Sequence, residues 1–226
     1  MAFSLIGVLT VDPETESISN LPLTGQYWLV LKNSDSNYRA LETDGDGKFT
    51  GSVQHIQEDD LLEGYMPDTA FFKKHFQEPV KKLMALLSHK KETFLPELEP
   101  LLAALTALIR NQPLNPGLAP SANELKTLGF ALKDFDPVNP DFAFIYSLVN
   151  SAIHHRKNQN YDQAVFYYMK ALDLEGEDPS VLFNLARVYH EIDMEDRAIS
   201  SLKRALELNP EMEMARQFLD FLTTDR

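Results

Sequence analysis

The fold of this chain is decided by a phrase that occurs twice. The first copy, YDQAVFYYMKALDLEGEDP, covers residues 161–179, and the second, EDRAISSLKRALELNP, covers residues 195–210. Small residues recur in the two copies at an offset of 34 positions, as Ala171 and Ala205 show. Self-similarity at a fixed period of this length indicates a repeat architecture built from stacked helical units.

The same offset extends beyond the quoted phrases. Ala152 and Ala186 lie 34 positions apart in the segments that precede them. Further pairs at this offset are Asn150 with Asn184, Ala164 with Ala198, Tyr168 with Leu202, Leu172 with Leu206, and Leu174 with Leu208. Small residues at close crossings, with large residues between them, are what the packing of two helices requires. One helical pair cannot bury its apolar face alone, so the repetition serves folding first.

The period and the residue types resemble the tetratricopeptide repeat family. In that family each repeat is a pair of antiparallel helices, A and B, so the resemblance implies repeats over residues 143–176 and 179–210. Tyr189 stands at the family's tyrosine in helix A, and Pro210 stands at its closing proline. The helical pattern of both copies therefore predicts a helical array in residues 136–226.

Several positions depart from the family pattern. Leu148 and Leu182 stand where the family has a tryptophan, and His155 stands in the first copy where the second has a tyrosine. Gly176 replaces the proline that closes a repeat, and Glu195 replaces an aromatic residue. These departures leave the helical pattern intact.

Residues 211–224 begin a third copy that ends before its second helix. The apolar residues expected to cover the last repeat are Met214, Phe218, Leu219 and Leu222. We therefore predict a C-terminal capping helix. Because about three repeats are usually needed for stability, we expect the helices of residues 67–135 to cover the other end of the array.

Residues 1–66 have the pattern of a small β-rich region. FSLIGVLTV and YWLVLK are apolar runs rich in β-branched and aromatic residues, and turn residues bound them. KNSDSN and DGDG separate the later runs YRALET and KFTGSVQHI. The sequence therefore predicts an antiparallel meander of about four strands.

Residues 67–135 have helical spacing. Pro79 should kink or break the first helix of this region, and PELEPLLAALTALIRN predicts a second. Ser121 and Glu124 have the spacing of a capping box and predict the start of a third helix. The predicted fold class is α+β and mainly α, with three regions at residues 1–66, 67–135 and 136–226.

Composition excludes several classes of protein. The net charge is −13, which disfavours binding to nucleic acid or to an anionic membrane surface. The chain has no cysteine, which excludes disulfides and cysteine-based metal sites and suits a reducing compartment. The longest apolar run, LLAALTALI, is far shorter than the ~18 residues of a membrane span. The N-terminus lacks the basic residues of a signal peptide and predicts a strand. We expect a soluble cytoplasmic protein.

The resemblance also implies a binding surface, because helix A lines the concave side of such arrays. The lining positions in this chain are Tyr146, Val149, Asn150, Ile153, Arg156, Ser180, Phe183, Asn184, Arg187 and His190. In relatives, an Asn at the position of Asn150 and Asn184 bonds the backbone of a bound peptide, and an amide can both donate and accept. The alternative is that both amides bond within the chain. Val149 and Phe183 stand where some relatives carry a lysine for a C-terminal carboxylate, so we do not expect that kind of site.

Two motifs invite a metal interpretation, and we predict no metal ion and no cofactor. ETDGDGKFTG resembles part of a calcium loop, but Val53 stands where a bidentate Glu is needed, so we predict a β-turn. His154 and His155 are adjacent on a helix and point about 100° apart, which disfavours one shared ion.

Catalytic motifs are missing from the sequence. It contains no H-E-x-x-H, no phosphate-binding glycine-rich loop and no G-x-S-x-G. The sequence predicts a non-enzymatic protein-interaction module, an adaptor, assembly factor or co-chaperone that binds a protein or peptide. Two alternatives stay open: an enzyme with its site in residues 1–135 and the repeats as a docking arm, or a scaffold that associates with copies of itself.

Overall fold

The protein divides into two compact units, Met1–Phe144 and Ile145–Arg226. The structure, a computed structural model, describes residues 3–15, 23, 25–33, 37–51, 53–88, 96–116 and 119–224. The KNSDSN loop between the second and third predicted strands lies partly outside these residues. The predicted boundaries at residues 66 and 135 stay predictions.

The N-terminal unit is built on a five-stranded antiparallel sheet. Its strands are β1 (Phe3–Val11), β2 (Tyr27–Asn33), β3 (Asn37–Thr43), β4 (Gln54–Gln57) and β5 (Tyr65–Pro67). The spatial order is β4-β3-β2-β1-β5, so the predicted four-stranded meander is confirmed and β5 adds a fifth strand beside β1. A short helix, α1 (Glu58–Gly64), connects β4 to β5 and was not predicted.

Four helices follow the sheet, and apolar residues of all four share a core with it. They are α2 (Thr69–His75), α3 (Gln77–Ser88), α4 (Glu99–Arg110) and α5 (Ala122–Leu132). Leu5 and Leu31 of the sheet belong to the same buried cluster as Phe72 of α2, Leu83 of α3 and Leu105 of α4. The α+β fold class predicted from the sequence is confirmed.

The break between α2 and α3 has its cause in Pro79. A proline has no backbone N–H and its ring crowds the carbonyl four residues earlier, which belongs to His75. The helix accordingly ends at His75 and a new one begins at Gln77. The predicted break is confirmed, and it lies one turn before the proline.

The C-terminal unit consists of consecutive antiparallel helices of the predicted array. The helices are α6 (Phe142–Lys157), whose first residues belong to the other unit, α7 (Tyr161–Glu175), α8 (Pro179–Glu191), α9 (Glu195–Leu208) and α10 (Glu213–Thr224). The turns repeat as well as the helices. Gln159 and Asp193, 34 residues apart, both adopt left-handed backbone angles, with φ of 64° and 59°.

The alanines on the 34-residue period are buried, as the pattern predicts. Ala164, Ala198 and Ala205 have no exposed surface, and Ala171 is 1% exposed. The large residues between them, Tyr168 and Leu202, are also completely buried. Among the described residues, no helix is both long enough and apolar enough to cross a bilayer.

Candidate peptide-binding surface on the A helices

The ten residues predicted to bind a peptide lie on α6 and α8, the first helix of each repeat. All ten keep exposed surface, and none is buried in the core. Tyr146 at the start of α6 is 62% exposed, and Ser180 at the equivalent position of α8 is also exposed. We call these ten residues the A-helix surface.

Asn150 and Asn184 are the amides of this surface. Asn150 is exposed and Asn184 is half-buried. Neither side chain hydrogen-bonds to any residue that the structure describes. The described part of the chain thus gives no support to the alternative that both amides bond within the chain, and their donors and acceptors stay open for a ligand.

Arg156 is committed to an ion pair within the chain. Its guanidinium lies 2.7 Å from a carboxylate oxygen of Glu191, so the pair joins α6 to the end of α8. Only 13% of the Arg156 side chain and 31% of the Glu191 side chain are exposed. A partly buried pair of this kind is expensive to break, so Arg156 is a poor contact for an incoming anion.

Arg187 stands in a different environment. Its guanidinium lies over the ring of Phe183, 6.0 Å from the ring centroid. Within the described residues it forms no ion pair. A guanidinium of this kind keeps its planar set of N–H donors available for a carboxylate.

The third A-type helix contributes two residues that were not predicted to belong to the binding surface. Phe218 and Phe221 of α10 lie 34 positions after Asn184 and Arg187. Phe218 contacts the ring of Phe183 with centroids 6.3 Å apart, and Phe221 contacts His190 at 6.0 Å. The signal for these two residues was present, because the same offset that defines the repeats also reaches α10.

A buried hydroxyl lies behind this surface. Burial raises the pKa of Tyr168 to about 12, while the nearby charges of Arg156 and Arg187 act in the opposite direction. The hydroxyl is inaccessible to solvent and has no hydrogen-bond partner among the described residues. Helix α7 therefore carries a tyrosine close to the two arginines of the A-helix surface.

The acidic turn of the N-terminal unit has the predicted backbone geometry. One carboxylate oxygen of Asp44 accepts hydrogen bonds from the backbone N–H groups of Asp46 (3.0 Å) and Lys48 (2.9 Å). Gly47 has φ of 78°, and a side chain there would come within 2.9 Å of His75. The hydrogen bond from Lys48 is the main reason that the pKa of Asp44 is lowered. Asp44 therefore organises a turn.

The adjacent histidines His154 and His155 point in different directions. Their rings meet edge to face, 5.9 Å apart, and the ring of His155 also lies 5.4 Å from that of Tyr167. His154 has Asn158 as a partner at 2.8 Å. Across the described residues, no group of three or more His, Cys, Asp or Glu side chains is arranged to hold a metal ion.

A cleft of about 420 Å³ opens in the N-terminal unit at the end of α4. Its lining consists of Ala103, Thr106, Ala107, Arg110, Gln112, Pro113, Leu114 and Asn115. Among these lining residues Arg110 is the charged one, and its guanidinium donates two hydrogen bonds, of 2.5 and 2.8 Å, to the carboxylate of Glu124. Among the described residues of this lining there is no pair of side chains suited to general acid–base catalysis.

The comparisons with known proteins agree with the helical pattern. The family model described as tetratricopeptide repeat matches residues 147–178 and residues 179–212. No curated protein matches the chain significantly. The first match covers most of α6 and all of α7, and the second covers α8 and α9. Residues 147–178 and 179–212 are therefore two tetratricopeptide repeats, as the resemblance predicted.

Proposed function

We propose that this chain is a protein-interaction module that binds a peptide segment of another protein on the A-helix surface. Tetratricopeptide repeats generally mediate interactions between proteins, and adaptors, assembly factors and co-chaperones are the roles that suit such a module. The chain works in the cytoplasm in this proposal, since a sequence without cysteine suits a reducing compartment.

One observation carries the proposal. Asn150 and Asn184 occupy equivalent positions of neighbouring repeats, and neither has an intramolecular hydrogen-bond partner among the described residues. Each amide offers both a donor and an acceptor, so two of them in register match the alternating groups of an extended peptide backbone. The exposed ring of Tyr146 and the half-buried ring of Phe183 add contacts of the type that dominate binding energy at interfaces.

A selection from a random dodecapeptide phage library tests the proposal and does not require the partner to be identified. The full chain is immobilised, and selected peptides are synthesised and titrated against wild type and a variant carrying Phe183→Ala and Asn184→Ala. Each truncation should cost ~1–3 kcal/mol of binding free energy, equivalent to about ten- to a hundredfold in affinity. We therefore expect the double variant to lose the selected peptides while its helicity stays close to that of wild type.

A matched control comes from α5 in the other unit. The variant Asn123→Ala with Phe130→Ala removes the same residue types from exposed positions, where Phe130 is 63% exposed. It should bind the peptides as wild type does. Peptides that bind the Phe183/Asn184 variant with undiminished affinity, or a selection that yields no binder, would refute the proposal and direct attention to the β-rich residues 1–66.

A further inference from the structure

Helix α10 presents an apolar stripe on the side that does not face the core. Ala215 and Leu222 are its buried residues. Met214, Phe218 and Phe221 are spaced i, i+4 and i+7 and therefore share another face of the helix. Met214 is 62% exposed and Phe221 is 55% exposed. Packing of α10 against the repeats thus leaves Met214 and Phe221 largely uncovered, while Phe218 between them is half-buried.

The stripe joins α8 through a connected group of four rings, with Phe218 in contact with each of the other three. His190 lies 5.4 Å from Phe218 and 6.0 Å from Phe221, and the last two rings are 6.4 Å apart. Phe183 completes the group, 6.3 Å from Phe218. We call Phe183, His190, Phe218 and Phe221 the aromatic end cluster. Single exposed apolar residues are ordinary, whereas a contiguous aromatic group on a surface is typical of an interaction site.

A cation without a carboxylate partner stands beside this cluster. The guanidinium of Arg187 lies over Phe183, a member of the cluster, and forms no ion pair with the described residues. The other arginine of the A-helix surface, Arg156, is neutralised by Glu191. The unpaired positive charge at this end of the surface therefore belongs to Arg187, in a chain whose net charge is −13.

We propose that the α8–α10 end of the surface binds a bulky apolar side chain of the partner peptide together with a carboxylate that flanks it in sequence. The apolar side chain rests on the aromatic end cluster, and the carboxylate accepts a bidentate hydrogen bond from Arg187. This specificity rests on the proposed function and adds the chemistry of the ligand to it. Binding of a peptide in which lysines flank the apolar residue would be disfavoured, because the positive charges of the lysines would face the guanidinium of Arg187.

Three synthetic probes test the proposal directly. They are fluorescein-labelled nonapeptides with Gly-Ser flanks and the centres Asp-Phe-Asp, Lys-Phe-Lys and Asp-Ala-Asp, titrated against the full chain by fluorescence anisotropy. The Asp-Phe-Asp peptide should bind at least about tenfold more tightly than either of the others, because each of the other peptides lacks one of the two contacts and a moderate contact changes affinity about tenfold. Phe221→Ala should weaken it about tenfold, whereas Phe166→Ala, which removes another exposed Phe from α7, should leave it unchanged.

Charge reversal gives a gain that misfolding cannot imitate. Arg187→Glu should reverse the preference, so that the Lys-Phe-Lys peptide binds more tightly than Asp-Phe-Asp. The matched control is Arg197→Glu, since Arg197 also lies over a ring, 5.7 Å from the centroid of Tyr189, but on α9. This control should keep the wild-type preference.

The outcomes separate this inference from the proposed function. The binding of the selected peptides can depend on Phe183 and Asn184 while the peptides carry no apolar residue beside an acidic one. In that case, or if Arg187→Glu still prefers Asp-Phe-Asp to Lys-Phe-Lys, the proposed ligand specificity is wrong and the proposed binding surface is retained. If no library peptide depends on the surface, both fail. If the wild-type chain sediments as a dimer and Phe221→Ala sediments as a monomer, the proposal of a peptide ligand is wrong. The aromatic end cluster would then bind a second copy of the chain.

Discussion

The imidazole of His190 on α8 stands edge-on to the ring of Phe218 on α10, with 5.4 Å between the centroids and 81° between the planes. Edge-to-face geometry is favourable because the positive edge of one ring meets the negative face of the other. His190 belongs to an A helix, so α10 takes the place that the A helix of a third repeat would occupy. In the proposed function, α10 thereby extends the binding surface that α6 and α8 form.

This relationship predicts unequal effects for the two aromatic residues of α10. Phe218 is half-buried and contacts both Phe183 and His190, so Phe218→Ala should lower the free energy of unfolding by ~1–3 kcal/mol. Phe221 is 55% exposed, and Phe221→Ala should lower it by less than about 1 kcal/mol. Urea titration followed by circular dichroism measures both values. Equal losses for the two variants would contradict the assignment of Phe218 to the packing of α10.

The repeats were predictable because their signal is local and periodic. Ala171 and Ala205 recur at one spacing, and burial at helix crossings follows from residue size alone. The capping box of Ser121 and Glu124 was predictable for the same reason, since it needs only a spacing of three residues, and both of its hydrogen bonds form.

Features that depend on tertiary contacts were not predictable. Three acidic residues in the first turn of α1 were a local helix signal for Glu58–Gly64, but the ion pair that Lys32 of β2 forms with Glu58 at 2.5 Å was not predictable. That ion pair joins residues far apart in sequence, so no local sequence pattern predicts it. The pairing of Arg156 with Glu191 is of the same kind, and it occupies a residue that the resemblance had placed among the ligand contacts.

Overpacking tests the alignment of the two repeats. Ala205 has no exposed surface at a helix crossing, so Ala205→Leu adds atoms where no space is available and should cost ~1–3 kcal/mol. Ser200→Leu on the same helix places the same side chain at an exposed position and should change stability by less than about 0.5 kcal/mol. Thermal unfolding distinguishes them. A melting temperature that Ala205→Leu leaves unchanged would count against the alignment.

The carboxylate of Glu124 predicts a pH dependence for the N-terminal unit. Hydrogen bonds from Arg110, and then from Ser121, lower the pKa of Glu124 to about 2. A carboxyl with a depressed pKa in the folded state stabilises the protein above its unfolded pKa of about 4.5 and loses that contribution as the pH falls towards about 2. The stability difference between wild type and Glu124→Gln should therefore be largest near neutral pH and shrink at about pH 3. Urea titrations at both pH values measure it, and an equal difference at the two would disprove the linkage.

The acidic turn should not bind calcium. Asp44 uses a carboxylate oxygen to accept the N–H groups of Asp46 and Lys48, and Val53 supplies no ligand where a calcium loop needs a bidentate Glu. Calorimetric titration with micromolar calcium should give no saturable heat. Asp44→Ala should instead lower the melting temperature, by the same amount with and without calcium. A saturable heat that this variant abolishes would show that the turn is a calcium site.

The hydroxyl of Tyr168 should contribute little to the free energy of unfolding at neutral pH. At high pH its ionisation should lower the free energy of unfolding. It is buried without a hydrogen-bond partner among the described residues, and an unsatisfied buried polar group costs free energy. Tyr168→Phe removes the hydroxyl and keeps the ring, so its free energy of unfolding at about pH 7 should equal or exceed that of wild type.

The pH dependence of this effect follows from the raised pKa. The phenol ionises near pH 10 in the unfolded chain and near pH 12 in the folded protein, because burial disfavours the phenolate. The unfolded state therefore loses its proton first, so the ionisation of Tyr168 leaves the free energy of unfolding unchanged below about pH 10 and lowers it as the pH rises towards about 12. Relative to wild type, Tyr168→Phe should gain stability across this interval. Urea titrations at about pH 7 and about pH 11 measure the gain, and a variant that is less stable than wild type at the lower pH would show that the hydroxyl has a partner.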